Sequence, residues 1–118
     1  MPTHHRIDYV ELPARDLRSV EQFYGELFDW TFTCYGPDYL AFDDGSLDGG
    51  FFRADSTSDS AGTGAALIVR YSSDLEETQR AIEVAGGQVI RPIFSFPGGR
   101  RFHFRDPVGN ELAVWSDK

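Results

Sequence analysis

The sequence contains one cysteine, Cys34, among its 118 residues, so no disulfide can form within the chain. Small secreted domains are typically rich in disulfides, whereas cytosolic proteins keep their thiols reduced. The opening residues lack the apolar core of a signal peptide, and no apolar run approaches the roughly 20 residues that span a membrane. We therefore expect a cytoplasmic protein without a membrane partner.

Basic residues are also scarce. Eleven Lys and Arg stand against 19 Asp and Glu, which gives a formal net charge of −8, and no basic run exceeds Arg100-Arg101. Nucleic acids and anionic membranes bind basic surfaces. The charge balance therefore excludes nucleic acid as an expected partner.

A repeated pattern divides the chain into two similar halves. Residues 9–17 and 67–75 are each a strand-like apolar run that ends in Asp-Leu and leads into a helical pattern. Between the halves, residues 54–64 are rich in Ser, Thr, Asp and Gly, a composition typical of a connector. The sequence thus predicts one unit written twice.

In each half, the first strand-like run leads into a capped helix. Asp16 is a good N-cap for the first helix, and Asp74 with Glu77 forms the sequence pattern of a capping box for the second. Gly86-Gly87 is expected to end the second helix. The two apolar stripes at helical spacing are Leu17, Val20, Phe23, Tyr24, Leu27 and Phe28, and Leu75, Thr78, Ala81, Ile82 and Ala85.

Three short β-like runs follow each helix, separated by turn residues. The runs are 30–35, 39–42 and 50–53 in the first half and 88–96, 101–105 and 111–115 in the second. We predict an α+β fold of paired βαβββ modules in a single domain, 1–118. Module one covers about 6–53, the connector 54–64 and module two about 65–116.

Several segments, by their order and spacing, carry a family resemblance. In chain order they are Glu11–Pro13, Asp16–Tyr24 with Leu27–Trp30, Gly86-Gly87 and the closing turn Arg105–Leu112. Together they resemble the vicinal oxygen chelate superfamily, which includes glyoxalase I, bleomycin and fosfomycin resistance proteins and extradiol dioxygenases. The nearest subgroup is the glyoxalase-related proteins. The resemblance implies a cupped, mostly antiparallel sheet with both helices outside, a small organic ligand on the concave face, and a homodimer; whether modules pair within or between chains stays open.

The resemblance also identifies where a metal would bind. Enzymes of this family chelate a divalent metal through His, Gln or Glu near the start of a module's first strand and Glu near the end of its last strand. The matching positions here hold Tyr9 and Leu67 (Ala66 in a shifted register), and Phe51, Phe52 and Ala113. Apart from a phenol, these side chains offer no metal ligand. We therefore expect no metal site of the family type and no cofactor.

Strand alternation assigns the candidate ligand-binding residues. If the neighbouring aliphatic residues pack under the first helix, Tyr9 and Glu11 face the cup. The same logic, in a shifted register, places Arg70 in the cup and packs Val69 and Tyr71 inside. Glu11 and Arg70 would then anchor a polar ligand, pair with each other, or form a solvated ion pair. Trp115 shares a strand face with Ala113 and is expected to line the pocket or to pack in the core or a dimer interface.

Two residues are candidates for acid–base catalysis. Glu11 faces the predicted cup, and His103 is the only histidine in the body of the domain. No carboxylate at a supporting sequence spacing accompanies His103, which favours a surface or core histidine.

The leading hypothesis is a small-molecule-binding protein without a family-type metal site. The alternatives are a glyoxalase-type lyase or other enzyme, metal-free or with unrecognised metal ligands, and a domain whose cup serves assembly alone.

Overall fold

The computed structural model describes residues 2–118, with the backbone alone at residue 61. The chain divides into two compact units, the first ending at Ser56 and the second beginning at Thr57. The elements, in chain order, are β1 (Tyr9–Ala14), α1 (Leu17–Phe28), β2 (Thr31–Cys34), β3 (Tyr39–Asp43), β4 (Asp48–Arg53), α2 (Ser60–Thr63), β5 (Ile68–Tyr71), α3 (Leu75–Val84), β6 (Gln88–Phe96), β7 (Gly99–Arg105) and β8 (Glu111–Ser116).

Both units form a four-stranded sheet with the same topology. The strand orders are β1-β4-β3-β2 and β5-β8-β7-β6, and in each sheet one parallel pair is followed by two antiparallel pairs. This arrangement confirms the predicted α+β fold and the repeated order of one strand, a helix and three strands. The prediction that the two sheets together form one cup stays a prediction.

Helix α1 covers one face of the first sheet. It begins at Asp16, whose carboxylate accepts hydrogen bonds from the amides of Arg18 and Ser19. The buried Tyr24 ring stacks on Trp30, with ring centroids 4.5 Å apart, and on Phe51, at 5.6 Å. These aromatic contacts fix the first core between helix and sheet.

Helix α3 covers one face of the second sheet. The Asp74 carboxylate accepts from the Glu77 amide at 3.2 Å, but the Glu77 side chain pairs with Arg80, so only half of the predicted capping box forms. After the helix, Gly86 adopts a φ of 105°, a conformation that side chains disfavour. The fully buried side chains of this core include Leu75, Ile82, Phe102, Phe104 and Val114.

The predicted connector is partly built into the second unit. The Ser58 amide donates to Asn110 Oδ1, and the Ser58 carbonyl accepts from the Glu111 amide, both at 2.8 Å. Asp59 pairs with Arg105 at 3.1 Å. Because Asn110 and Glu111 are buried, their polar groups need partners, and the connector supplies them. Composition alone had indicated only a loop.

Each sheet has a second face that carries neither α1 nor α3, and we call it the helix-free face.

Within residues 2–118, every helix is too short or too polar to cross a membrane.

Candidate functional site

The helix-free face of the first sheet carries a row of polar side chains. Tyr9 pairs with Asp48, Asp48 with Asp43, and Asp43 with Thr31, and side chains paired across a sheet point to the same side. Tyr9 is 42% exposed, whereas Leu12, on the opposite face, is 4% exposed. The face predicted for Tyr9 and Glu11 is therefore the observed one, while their role in ligand binding stays a prediction.

A hydrogen-bond chain joins Tyr9, Tyr39 and Glu11 on this face. The two tyrosine hydroxyl oxygens are 2.6 Å apart, and the Tyr39 hydroxyl donates to Glu11 Oε2 at 2.9 Å. Desolvation by burial raises the pKa of Tyr39, and the hydrogen bonds with Tyr9 and Glu11 raise it further. Tyr39 therefore stays protonated at neutral pH and holds the Glu11 carboxylate in place.

A groove of about 360 Å³ lies beside this chain in the first unit. This volume falls within the range of small-molecule sites. The side chains that line the groove are mainly hydroxyl and carboxylate groups: Tyr9, Thr31, Thr33, Tyr35, Asp43 and Asp48.

The register of β5 corrects the face predicted for Arg70. Val69 pairs with Ala113 and Tyr71 with Trp115, so Val69 and Tyr71 lie on the helix-free face and are 42% and 47% exposed. Arg70 pairs with Val114, which belongs to the core under α3. The assumed register was off by one residue, and such a slip exchanges the two faces of a strand. Arg70 thus points away from the helix-free face.

Trp115 lies on the helix-free face of the second sheet. Its ring packs edge-on against Tyr71, with centroids 5.2 Å apart, and faces Phe96 at 6.3 Å. Trp115 is half-buried and pairs across the sheet with Arg101. It therefore remains a candidate for contact with a ligand.

His103 lies on the same face and has a carboxylate partner, contrary to the sequence interpretation. Its Nδ1 is 2.8 Å from Glu111 Oε2, and Ser60 Oγ donates to Glu111 Oε1 at the same distance. The side chains of His103 and Glu111 are only 8% and 3% exposed. The structure therefore assembles a Ser60–Glu111–His103 chain across the connector and two strands, with Glu111 and His103 buried and Ser60 partly buried.

The other ring nitrogen of His103 differs from Nδ1 in its surroundings. Nε2 is buried and forms no hydrogen bond with any of residues 2–118. Because the Glu111 carboxylate accepts from Nδ1, Nε2 donates when the imidazole is protonated and accepts when it is neutral. This is the arrangement in which a carboxylate orients an imidazole for proton transfer or for binding a polar group.

Arginine and aromatic side chains surround His103. Arg91 pairs with His103 across β6 and β7, and its guanidinium carbon lies 3.7 Å from the centroid of Phe94. Arg101 lies 5.4 Å from Phe94 and 5.7 Å from Phe96. The helix-free face of the second sheet is thus cationic and aromatic, in contrast to the acidic groove of the first.

The residues at the metal-ligand positions that the family resemblance identifies are not suited to binding a metal ion in this chain. In the second unit, Ala113 is buried and pairs with Val69 on the neighbouring strand, and neither side chain can bind a metal ion. In the first unit, the Tyr9 phenol is engaged with Tyr39. Residues 2–118 contain no cluster of three or more metal-binding side chains. The donor set therefore does not match the family's metal centre.

Sequence reasoning missed Tyr39, Ser60 and the pairing of Glu111 with His103. The last of these had a usable signal, because the closing hairpin places His103 opposite Ala113, and diagonal neighbours two residues along lie within side-chain reach. The role of Ser60 had no signal in the sequence, because the position of Ser60 depends on how the connector packs against the second unit.

The repeated module with one helix against a four-stranded mixed sheet defines a class of paired-module α+β proteins. The chain belongs to the Glyoxalase/Bleomycin resistance protein/Dioxygenase superfamily, whose family model matches residues 6–114. The predicted membership is therefore confirmed. A search of curated proteins gives no match.

Solved structures show the same fold. A glyoxalase-related enzyme from Fulvimarina pelagi aligns over 95% of this chain and 88% of its own, with TM-score 0.77 and 18% identity. Lactoylglutathione lyase from Agrobacterium tumefaciens aligns over 95% and 93%, with TM-score 0.72 and 22% identity. TioX from Micromonospora sp. ML1 aligns over 96% and 99%, with TM-score 0.71 and 19% identity. At these identities the likeness extends to the fold alone.

Proposed function

We propose that this chain binds a small organic molecule on its helix-free faces without a metal ion of the family type. The observation that carries the proposal is the groove of about 360 Å³ in the first unit, lined by Tyr9 and other polar side chains. Its volume suits a small molecule, and the Tyr9–Tyr39–Glu11 chain offers fixed hydrogen-bonding groups beside it. The mismatch at the metal positions supports metal-independent binding.

A thermal-shift screen of small organic molecules in the presence of EDTA tests this proposal. At tenfold excess over its Kd, a ligand should raise Tm by about 5 °C. Tyr35→Ala should weaken hits in the groove by about tenfold, because Tyr35 is an exposed wall of the groove. Val84→Ala, an exposed change on α3, is the matched control and should leave binding unchanged. The screen is repeated without EDTA, and the proposal fails if no molecule binds at millimolar concentration or if molecules bind only when EDTA is omitted.

A second candidate function is acid–base catalysis by His103, and the Glu111 contact favours it. The carboxylate fixes the imidazole by Nδ1 and leaves Nε2 available to take or give a proton. Glu11, the other candidate, is restrained by the Tyr39 hydroxyl and lies in the first unit.

Catalysis is tested with the adduct of methylglyoxal and glutathione and with thiol-transfer substrates, in EDTA. If the chain is such an enzyme, His103→Gln should lower kcat by at least about 100-fold. Glu11→Gln is the matched variant in the first unit and should retain most activity. If Glu11→Gln lowered kcat more than His103→Gln, the acid–base role would belong to Glu11. Turnover that needs added metal would contradict metal-free catalysis.

A further inference from the structure

We propose that the helix-free face of the second sheet binds a small aromatic carboxylate at Phe94, between Arg91 and Arg101. This inference goes beyond the proposed function, because it assigns a ligand class and a set of contacts in the second unit. The carboxylate would pair with the guanidinium groups, and the ligand ring would lie among the aromatic side chains of the same face.

The positive charges of Arg91 and Arg101 on this face favour the binding of an anion. Arg91 and Arg101 form no ion pair with a carboxylate among residues 2–118, although acidic residues outnumber basic ones in the chain. The Arg101 Nε atom is buried and has no hydrogen-bond partner among the described residues 2–118. A buried donor without an acceptor is costly, and an anion would relieve that cost. By contrast, ion pairs with a carboxylate are formed by Arg53, Arg80, Arg100 and Arg105.

The aromatic rings hold the two guanidinium groups in place. Arg91 lies over Phe94 at 3.7 Å, and Arg101 lies 5.4 Å from the same ring and 5.7 Å from Phe96. A guanidinium stacked on a ring keeps the N–H donors at its edge free, and those donors match the two oxygens of a carboxylate. Trp115, 6.3 Å from Phe96, extends the aromatic surface for the ring of the ligand.

His103 supplies a third group for the ligand. Its ring centroid is 5.9 Å from that of Phe94, and it stands two residues from Arg101 on the same side of β7. The buried Nε2 has no hydrogen-bond partner among residues 2–118. A ligand hydroxyl can both donate to and accept from an imidazole nitrogen, so it satisfies Nε2 in either protonation state. The site therefore favours a hydroxylated aromatic carboxylate over the unsubstituted one.

Calorimetric titration of the full chain with four probes tests this inference: 4-hydroxybenzoate, benzoate, benzamide and acetate. We expect 4-hydroxybenzoate to bind tightest and benzoate next, and we expect benzamide and acetate to bind at least about tenfold more weakly than benzoate. Arg91 is exposed, so Arg91→Met should fold and lose about tenfold in benzoate affinity. Arg80→Met, which removes the same charge from the exposed side of α3, should bind benzoate like the natural chain. 4-Hydroxybenzoate, whose hydroxyl group is expected to contact the imidazole, should also shift the NMR resonance of His103 Nε2.

Three results would overturn the inference: equal binding of benzamide and benzoate, equal binding of acetate and benzoate, or unchanged benzoate affinity in Arg91→Met. If the thermal-shift screen in EDTA finds ligands but no aromatic carboxylate binds, this inference fails and the proposed function stands. If benzoate binds through Arg91 only when metal is present, the site stands and metal-independent binding fails.

Discussion

Asn110→Ala is expected to lower the free energy of unfolding by about 3 kcal/mol. Asn110 is fully buried, and its amide oxygen accepts from the Ser58 amide at 2.8 Å, while its amide nitrogen donates to Asp106 Oδ2 at 3.3 Å. Alanine removes both hydrogen bonds and leaves groups that water reaches poorly. Urea unfolding followed by tryptophan fluorescence measures the change.

Two comparisons show whether the side-chain amide is responsible. Asn110→Asp keeps the oxygen that accepts from Ser58 but replaces the donor facing Asp106 with a carboxylate, so it should also destabilise the chain. Ser46→Ala, an exposed turn position, should change stability by less than about 0.5 kcal/mol. A loss below about 1 kcal/mol for Asn110→Ala would contradict a structural role for this pair of hydrogen bonds.

Gly49→Ala is expected to cost about 2 kcal/mol or more, because its site has no room for a methyl group. A Cβ there would lie 2.3 Å from the Phe42 ring and 2.5 Å from the carbonyl oxygen of Val10. The ring belongs to the core, where it stacks on Trp30 at 4.4 Å, and the carbonyl belongs to the neighbouring strand. Neither can move without disturbing the first sheet. Thermal unfolding followed by circular dichroism gives the change.

Gly25→Ala provides the control with the opposite sign. Gly25 lies within α1, and the nearest atom to an added Cβ is a Phe32 carbon at 3.6 Å, an ordinary contact. Alanine favours the helix over glycine by about 0.8 to 1 kcal/mol, so Tm should rise. If the two alanine variants had the same stability, the close packing described at Gly49 would be wrong.

Much of the fold could be predicted because local signals agreed with one another. Asp16 and Asp74 cap their helices where the sequence indicated, and the strand runs 39–42 and 88–96 correspond to β3 and β6. Turn residues and alternating apolar positions act over a few residues, so they can be recognised without tertiary information.

The candidate site was harder to predict because it depends on contacts between distant segments. Tyr9 and Glu11 lie on the expected face, since alternation along β1 is local. Arg70 does not, because its four-residue strand contains too few positions to fix the register. The partner of His103 depends on how β7 and β8 pair, and the partner of Glu111 depends on the path of the connector.

The sequence by itself thus determined the repeated module and the family. These follow from periodicity, caps and motif residues, which are properties of short segments. Only the tertiary structure decided which polar groups meet. It joined Tyr9 to Glu11 through Tyr39, and it placed Arg91 and Arg101 beside one phenylalanine ring. It also buried His103 against Glu111, with Nε2 unpaired among residues 2–118. The physical reason is that side-chain contacts across a sheet require strand register and chain path, which sequence spacing does not specify.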